Sequence, residues 1–207
     1  MDTIKNYMPE LTDEKANVLD HLSKLLLEWN SKINLISRKD EDNIIPHHIL
    51  HSLSIAKIFQ FKLGTKILDV GTGGGLPGLP LAIMYPECQF HLIDGTAKKI
   101  RVVQDIISQS GLKNVTAQQV RLENHKDSYE FILSRAVTRL GRFTSWLNVQ
   151  NIIKEPRHDF PNGILYLKGG ELNEELRETN MRVSVYALNR YFDDPYFETK
   201  KLIHLYR

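Results

Sequence analysis

The sequence predicts an α/β fold in which helices cover a mostly parallel sheet, an antiparallel hairpin forms one sheet edge, and a helical extension precedes the sheet. Three patterns support this prediction. Residues 1–62 have helical periodicity without strand-like alternation, the chain from residue 63 alternates short apolar runs with amphipathic segments, and two strand-like segments come last. Strands that alternate with helices are typical of a parallel sheet covered on both faces.

The N-terminal extension is predicted from apolar residues that recur at helical spacing. Each of two sets lies on one side of a helix, and the sets are Val18, Leu22, Leu25, Leu26 and Trp29, then Ile49, Leu50, Leu53, Ala56 and Phe59. We therefore divide the chain into a helical extension over residues 1–62 and an α/β domain over residues 63–207.

The α/β domain is predicted to contain five strands before the final hairpin. We expect these strands at residues 66–70, 89–94, 114–120, 130–134 and 164–167. Amphipathic helices are expected at residues 96–111 and 140–154, and residues 181–190 and 198–206 are expected to pair as the edge hairpin.

Composition restricts the classes of protein to which this chain can belong. Its 207 residues suffice for one sizeable core, and 27 Lys+Arg against 25 Asp+Glu give a net charge of +2. A charge this small does not by itself indicate a nucleic-acid-binding protein. Cys88 is the single cysteine, so no internal disulfide forms, and no apolar run approaches the roughly 18 residues of a membrane span. We expect a monomeric cytoplasmic protein without a membrane partner.

The most informative motif is a glycine-rich turn at residues 69–78, which reads Asp-Val-Gly-Thr-Gly-Gly-Gly-Leu-Pro-Gly. Glycine lets the chain turn sharply from strand to helix while a ligand approaches the backbone. The G-x-G-x-x-G fingerprint of dinucleotide-binding proteins would require glycine where Leu76 stands. The spacing is similar to motif I of class I S-adenosylmethionine-dependent methyltransferases, which predicts a Rossmann-like domain that binds this cofactor at Gly71, Gly73 and Gly75. Nicotinamide dinucleotide binding is the alternative.

Asp94 ends the second predicted strand. A carboxylate about 20 residues beyond a nucleotide-binding turn can accept hydrogen bonds from the ribose hydroxyls. The same side chain could cap the helix that begins near Thr96. The two roles are compatible, and we assign Asp94 to cofactor binding.

The residues present narrow the choice of methyl acceptor. Enzymes that methylate exocyclic amines carry an Asn/Asp-Pro-Pro-aromatic motif after the fourth strand, where this chain has Ser-Arg-Ala-Val at residues 134–137. Methylation of pyrimidine C5 requires a nucleophilic cysteine, and Cys88 precedes the second strand, far from the acceptor side. Oxygen acceptors require a base, for which Lys168 is the candidate. A ring nitrogen such as guanine N7 requires orientation and no base.

Cationic side chains cluster where the acceptor is expected, at the carboxyl ends of the fourth and fifth strands. Arg135, Arg139 and Arg142 share one face if their segment is helical, and Arg121 and Lys168 are expected at neighbouring strand ends. Guanidinium groups bind phosphate bidentately, so we expect an acceptor that carries phosphates. A solvated helix face is the alternative for Arg139 and Arg142.

Several motifs together resemble the small-subunit (16S) ribosomal RNA guanine-N7 methyltransferases, also called the glucose-inhibited division protein B family. The matching motifs keep their order over residues 30–170, and they are Asn34 with Leu35, His48 with Ile49 and Leu50, Ser52 with Leu53, residues 69–78, Asp94, Lys98 with Lys99, Arg121 with Glu123, Ser134 with Arg135 and Ala136, and Leu167 with Lys168 and Gly169. The family usually has aspartate where this chain has His51.

The resemblance implies a role for each matching site residue. It implies S-adenosylmethionine contacts at Gly71, Leu76, Asp94, Leu122, Glu123 and Arg135, and acceptor-side roles for Arg121, Arg135 and Lys168. It also implies an enzyme that methylates guanine N7 in 16S ribosomal RNA, either as free RNA or in the small ribosomal subunit.

Two other functions remain open from the residues alone. One is a methyltransferase for a small anionic metabolite with Lys168 as its base, and the other is an RNA-binding module without chemistry. No metal site is expected at His47, His48 and His51, because His48 and His51 lie three apart on an expected helix that supplies no carboxylate or cysteine partner, and an HExxH motif is absent.

Overall fold

A seven-stranded sheet forms the centre of the structure, a computed structural model that describes residues 2–147 and 151–207. Its strands are β1 (Lys66–Val70), β2 (Gln89–Asp94), β3 (Val115–Gln119), β4 (Phe131–Arg135), β5 (Gly163–Gly169), β6 (Arg182–Ala187) and β7 (Lys200–Tyr206). They lie in the order β3-β2-β1-β4-β5-β7-β6. Strands β1 to β5 are parallel, and β7 is antiparallel to both β5 and β6. The predicted α/β fold with an antiparallel edge hairpin is confirmed.

The order of the strands reverses at β1. This strand pairs with β2 on one side and with β4 on the other, so that Asp69 lies beside Leu92 of β2 and Leu133 of β4. In open parallel sheets, ligands bind outside the carboxyl ends of the strands at such a reversal. The loops that follow β1, β2 and β4 therefore meet at one edge of the sheet.

Helices flank this sheet and form the whole N-terminal part. They are α1 (Asp2–Tyr7), α2 (Asp13–Asn30), α3 (His51–Ile58), α4 (Gly78–Met84), α5 (Ala97–Gln109), α6 (Leu140–Ser145) and α7 (Asn173–Leu176). A π-helical turn, Ile45–Leu50, leads directly into α3, and the Thr12 hydroxyl caps α2 by accepting the Lys15 backbone N–H at 3.3 Å. Among the described residues, no helix has both the length and the apolar character that crossing a membrane requires.

Two apolar clusters form the core, one on each face of the sheet. Ile67 and Leu92 belong to the larger cluster, whereas their neighbours Leu68 and Ile93 belong to the smaller one, because successive side chains of a strand point to opposite faces. The larger cluster also contains Leu22 of α2 and further apolar residues of the N-terminal helices. The helical extension therefore shares its core with the sheet, and the domain boundary at residue 62 stays a prediction.

The helix predicted over residues 140–154 is wrong beyond its beginning, because α6 covers only 6 residues. Residues 148–150 of that prediction lie outside the described residues. Ile152 forms a parallel bridge with Tyr129, and the Asn151 side-chain amide donates to two carbonyls of the loop before β4 at 3.0 and 3.1 Å. Pairing with this loop thus replaces the hydrogen bonds that a longer helix would have made.

Candidate functional site

A cavity of about 570 Å³ opens at the carboxyl edge of the sheet, where the order of the strands reverses. Its walls come from the loops after β1, β2, β3 and β4, together with Leu35 from the N-terminal part. The predicted site residues that line it are Gly71, Gly73, Leu76, Asp94, Arg121, Leu122, Glu123 and Arg135. Gly75 and Lys168 do not line this cavity, and a volume of this size is typical of a small-molecule site.

Two glycines of the turn after β1 serve different purposes. Gly73 has a φ of +59°, and a Cβ there would meet nothing closer than the Gly71 carbonyl oxygen at 4.0 Å, so its backbone faces the open cavity. Gly75 has a φ of +94°, and a Cβ there would collide with the Leu79 side chain. Gly73 therefore suits close approach of a ligand, whereas Gly75 is required by packing against α4.

Asp69 organises the glycine-rich turn from within. Its Oδ2 atom accepts hydrogen bonds from the Thr72 hydroxyl at 2.7 Å and from the Gly78 backbone N–H at 2.9 Å. The side chain is fully buried, and this burial raises the pKa of Asp69 to about 6. The aspartate that opens the motif thus fixes the loop and does not line the cavity.

Asp94 joins the loops that follow β1 and β2. Its Oδ2 accepts the Gly73 backbone N–H at 3.1 Å, and its Oδ1 accepts the Thr96 backbone N–H at 2.8 Å. Thr96, and not Asp94, is the N-cap residue of α5. Because each carboxylate oxygen has a further lone pair, Asp94 can hold the glycine-rich turn and still accept hydrogen bonds from two ribose hydroxyls.

Replacing Asp94 with alanine is expected to weaken cofactor binding by about 1–3 kcal/mol, because hydrogen bonds to a charged group are lost and the loop tether is broken. Asp94→Asn, which keeps one carbonyl oxygen, is expected to give an intermediate loss. Calorimetric titration with S-adenosylhomocysteine measures both changes. Unchanged affinity in the alanine variant would remove Asp94 from the cofactor site.

The end of β4 forms the wall opposite the glycine-rich turn. Ser134 donates a hydrogen bond from its hydroxyl to the Val70 carbonyl at 3.0 Å, and Arg135 donates from Nη1 to Nδ1 of His48 at 3.1 Å. Ala136 has a φ of +50°, which is uncommon for a residue with a Cβ and concentrates at functional sites. The strained turn places Val137 against Gly71 in the wall of the cavity.

The cations predicted as one helical face do not form one. Arg135 belongs to β4, and Arg139 precedes the first residue of α6, so only Arg142 is helical. Arg139 donates from Nε to Glu178 at 2.8 Å, and the Arg142 guanidinium lies 5.4 Å from the centre of the Trp146 ring. The shared face required the segment from Arg135 onward to be helical, and this condition is not met, because the helix begins at Leu140.

Lys168 is engaged by partners outside the cavity. Its Nζ atom forms an ion pair with Glu175 and donates to the Thr138 carbonyl at 3.0 Å, and both charged side chains are largely buried. The expectation that Lys168 and Arg121 lie at neighbouring strand ends is also wrong. Arg121 follows β3 and Lys168 belongs to β5, and three strands, β2, β1 and β4, lie between them. Whether Lys168 contacts the acceptor stays a prediction.

Several residues of the cavity wall could not be identified from the sequence. Leu35, Lys99, Val137 and Trp146 all line it. Leu35 and Lys99 stand out in the sequence only as parts of family motifs, and Trp146 lies in a segment whose helix was predicted too long. An apolar pattern cannot show which side chains of a loop face a ligand, so no sequence signal marks these residues as wall residues.

One histidine group in the described part of the chain is close enough to share a metal ion, namely His91, His125 and Asp127. The hydroxyl of Tyr129 lies 2.7 Å from Nδ1 of His91 and 3.0 Å from Nε2 of His125. A hydrogen-bonded network accounts for the way these rings converge, and the expectation of no metal site stays a prediction.

The sheet order, the glycine-rich turn and the carboxylate at the end of β2 together define a class I S-adenosylmethionine-dependent methyltransferase fold. Two solved structures are similar to it. A SAM-dependent methyltransferase from Aquifex aeolicus has a TM-score of 0.60 at 14% identity, covering 82% of this chain and 96% of that one. Aeropyrum pernix fibrillarin with bound S-adenosyl-L-methionine has a TM-score of 0.51 at 10% identity, covering 75% of this chain and 73% of that one.

The particular family follows from sequence comparison. The family model for rRNA small subunit methyltransferase G, GidB, matches residues 15–194. A ribosomal RNA small subunit methyltransferase G of Flavobacterium johnsoniae is 52% identical over 99% of this chain and 97% of its own length. The protein of the same name from Bacteroides thetaiotaomicron is 44% identical over 99% and 98%. The chain therefore belongs to the GidB family, and the resemblance found in its motifs is confirmed.

S-adenosylmethionine is the cofactor of this fold, and the residues of the cavity fit it. The Asp94 carboxylate can accept from the ribose hydroxyls, and the Gly73 backbone leaves room for a ligand. Ile93 and Leu122 line the cavity with apolar side chains that could contact an adenine ring, and the positive charge of the Arg135 guanidinium could pair with the cofactor's carboxylate.

Proposed function

We propose that the protein transfers a methyl group from S-adenosylmethionine to N7 of a guanine in 16S ribosomal RNA. The observation that carries this proposal is the cavity that joins the glycine-rich turn and Asp94 to Arg135 at the end of β4, in a chain of the GidB family. The acceptor is the RNA itself or the small ribosomal subunit, so we infer that the protein acts in the cytoplasm. We also expect it to act as a monomer.

The residues of the cavity supply binding and orientation, and the reaction needs little else from them. When bound, S-adenosylmethionine supplies an electrophilic methyl group on a sulfonium centre. The turn at Gly73 and the Asp94 carboxylate hold the cofactor, and Arg135 orients the anionic groups that enter beside it. The lone pair of guanine N7 lies in the plane of the base and carries no proton, so proximity and alignment dominate the rate.

A labelling experiment tests this proposal against its alternatives. The protein is incubated with S-adenosylmethionine labelled in the methyl group and with small ribosomal subunits that lack the modification, or with 16S RNA alone. Label in the RNA supports the proposal. Label that appears only in small anionic metabolites supports a metabolite methyltransferase, and RNA binding without transfer supports a binding module, so either result contradicts it.

The rate of methyl transfer is expected to be independent of pH between about pH 7 and 9, because no proton leaves N7 and no general base is required. Burial raises the pKa of Asp69 only to about 6, so this carboxyl does not titrate across that range. Single-turnover transfer with saturating cofactor measures the profile. A rate that rises tenfold per pH unit and is lost in Lys168→Ala would instead indicate an oxygen acceptor.

Arg121→Ala and Lys168→Ala are expected to weaken RNA binding while changing cofactor affinity by less than about twofold. If each change removes one phosphate contact, the slope of the logarithm of the RNA binding constant against the logarithm of the salt concentration should fall in magnitude by about one. Glu175→Gln is the matched variant, because it removes the charge that pairs with Lys168. RNA binding is expected to become stronger in Glu175→Gln. If Lys168→Ala and Glu175→Gln both leave RNA affinity unchanged, Lys168 is a structural residue.

A further inference from the structure

His48 lies where the N-terminal part meets the cavity wall. It belongs to the π-helical turn Ile45–Leu50, and such turns occur often at functional sites. Its side chain is 8% exposed, and its Nδ1 atom lies 3.1 Å from Nη1 of Arg135. Among the described residues, His48 is the hydrogen-bond partner of the Arg135 guanidinium, and no carboxylate lies within ion-pair distance of it.

The direction of this hydrogen bond fixes the state of the imidazole. A guanidinium only donates, so Nδ1 of His48 must carry the lone pair and the ring must be neutral with its proton on Nε2. Burial, and next the charge of Arg135, lower the pKa of His48 to about 4, with Asp40 opposing and His47 adding to the shift. The ring is therefore an acceptor at neutral pH.

A neutral acceptor orients a guanidinium without cancelling its charge. Two other arginines pair with carboxylates, since Arg139 contacts Glu178 and Arg157 contacts Glu130. The carboxylates of Asp69 and Asp40 act on Arg135 through space, but among the described residues neither lies within ion-pair distance of the guanidinium. Arg135 thus keeps a positive charge in the wall of the cavity.

The turn that carries His48 is held in place from the C-terminal segment. Tyr196 donates from its hydroxyl to the His47 carbonyl at 3.0 Å, and the same hydroxyl lies 3.1 Å from Nδ1 of His51. The His47 ring stacks on the Tyr196 ring with 3.9 Å between centres, and its Nδ1 atom lies 2.9 Å from Asp40. These contacts of His47 and His51 fix the backbone of the turn from which the His48 ring reaches Arg135.

We propose that His48 is a positioning residue that aims Arg135, with its charge intact, at an oxyanion in the cavity. The oxyanion is the carboxylate of the cofactor or a phosphate of the acceptor strand. Only the identity of these two ligands rests on the proposed function. The contact between His48 and Arg135, and the charge that it preserves, do not depend on it.

Three variants test this role by geometry. The amide oxygen of His48→Asn occupies the place of Nδ1 along the side chain, whereas that of His48→Gln lies one bond farther out, and His48→Ala has no acceptor. Titration calorimetry compares S-adenosylhomocysteine, which carries the carboxylate, with methylthioadenosine, which lacks the amino-acid part. Fluorescence anisotropy with 16S RNA measures RNA affinity, which is the readout if the oxyanion is a phosphate. Thermal melting confirms that each variant is folded.

If the oxyanion is the carboxylate of the cofactor, we expect His48→Ala and His48→Gln to bind S-adenosylhomocysteine about tenfold more weakly than the unaltered protein. Their affinity for methylthioadenosine is expected to be unchanged. His48→Asn is expected to restore most of the lost affinity. If the oxyanion is a phosphate, the same pattern appears in RNA affinity instead. The proposal would be overturned if the affinities for both small ligands fell equally, or if His48→Asn restored none of the lost affinity. Unchanged affinity in every assay would also overturn it. Because these are binding measurements, a failure of methyl transfer to RNA by the unaltered protein would count against the proposed function alone.

Discussion

Replacing Gly73 with valine is expected to abolish binding of S-adenosylmethionine. The residue has a φ of +59°, a conformation that a β-branched side chain rarely adopts, and its backbone faces the open cavity. A valine side chain would therefore strain the turn and fill the space that the ligand needs, while the tether from Asp94 to the Gly73 N–H would be displaced. Calorimetric titration with S-adenosylhomocysteine measures the loss.

Gly111→Val is the matched control for this change. Gly111 has a φ of +65°, and a Cβ there would meet nothing within 4 Å, so valine carries the same backbone penalty away from the cavity. We expect Gly111→Val to lower the melting temperature about as much as Gly73→Val and to bind the cofactor normally. Normal binding by Gly73→Val, or equal loss in both variants, would contradict the assignment of the turn.

Replacing Arg135 with alanine is expected to reduce methyl transfer by about 100-fold or more, because we infer that its charge lies between the cofactor and the acceptor. Affinity for S-adenosylhomocysteine and affinity for RNA are both expected to fall. Arg135→Lys keeps the charge without the planar fork and is expected to recover only part of the activity. Single-turnover transfer and the two binding assays separate these effects.

Arg182→Ala provides the control for Arg135, because Arg182 is exposed on the edge strand β6, far along the sheet from the cavity. We expect this variant to transfer methyl groups at the normal rate. If Arg135→Ala affects only one of the two ligands, its placement between cofactor and acceptor is wrong, and a normal rate would remove it from the site.

The strands and the glycine-rich turn could be predicted because their signals are local. An apolar run of five residues that ends at a cluster of glycines, as at β1, specifies both a buried strand and the loop that follows it. The position of Asp94 followed in the same way from the end of the next apolar run. These features depend on residues close together in the chain, and the structure has them where the sequence predicts them.

Features that depend on distant contacts could not be predicted. The ion pair between Arg139 and Glu178 joins residues 39 positions apart, and the hydrogen bond between His48 and Arg135 joins residues 87 positions apart, so only the completed fold reveals their proximity. The order of the strands likewise separates Arg121 from Lys168, although both follow predicted strands. Periodicity specifies which face of an element is buried, but it does not specify what that face meets.

The position of the transferred methyl group tests the central claim most directly. Small ribosomal subunits without the modification are incubated with the protein and S-adenosylmethionine, and their 16S RNA is then treated with borohydride and aniline, which cleave the strand at N7-methylguanosine. We expect cleavage at one guanine. This cleavage should not occur when the protein is omitted or when the Gly73→Val variant replaces it. Methyl label in the RNA without any such cleavage would place the methyl group on another atom and contradict the account.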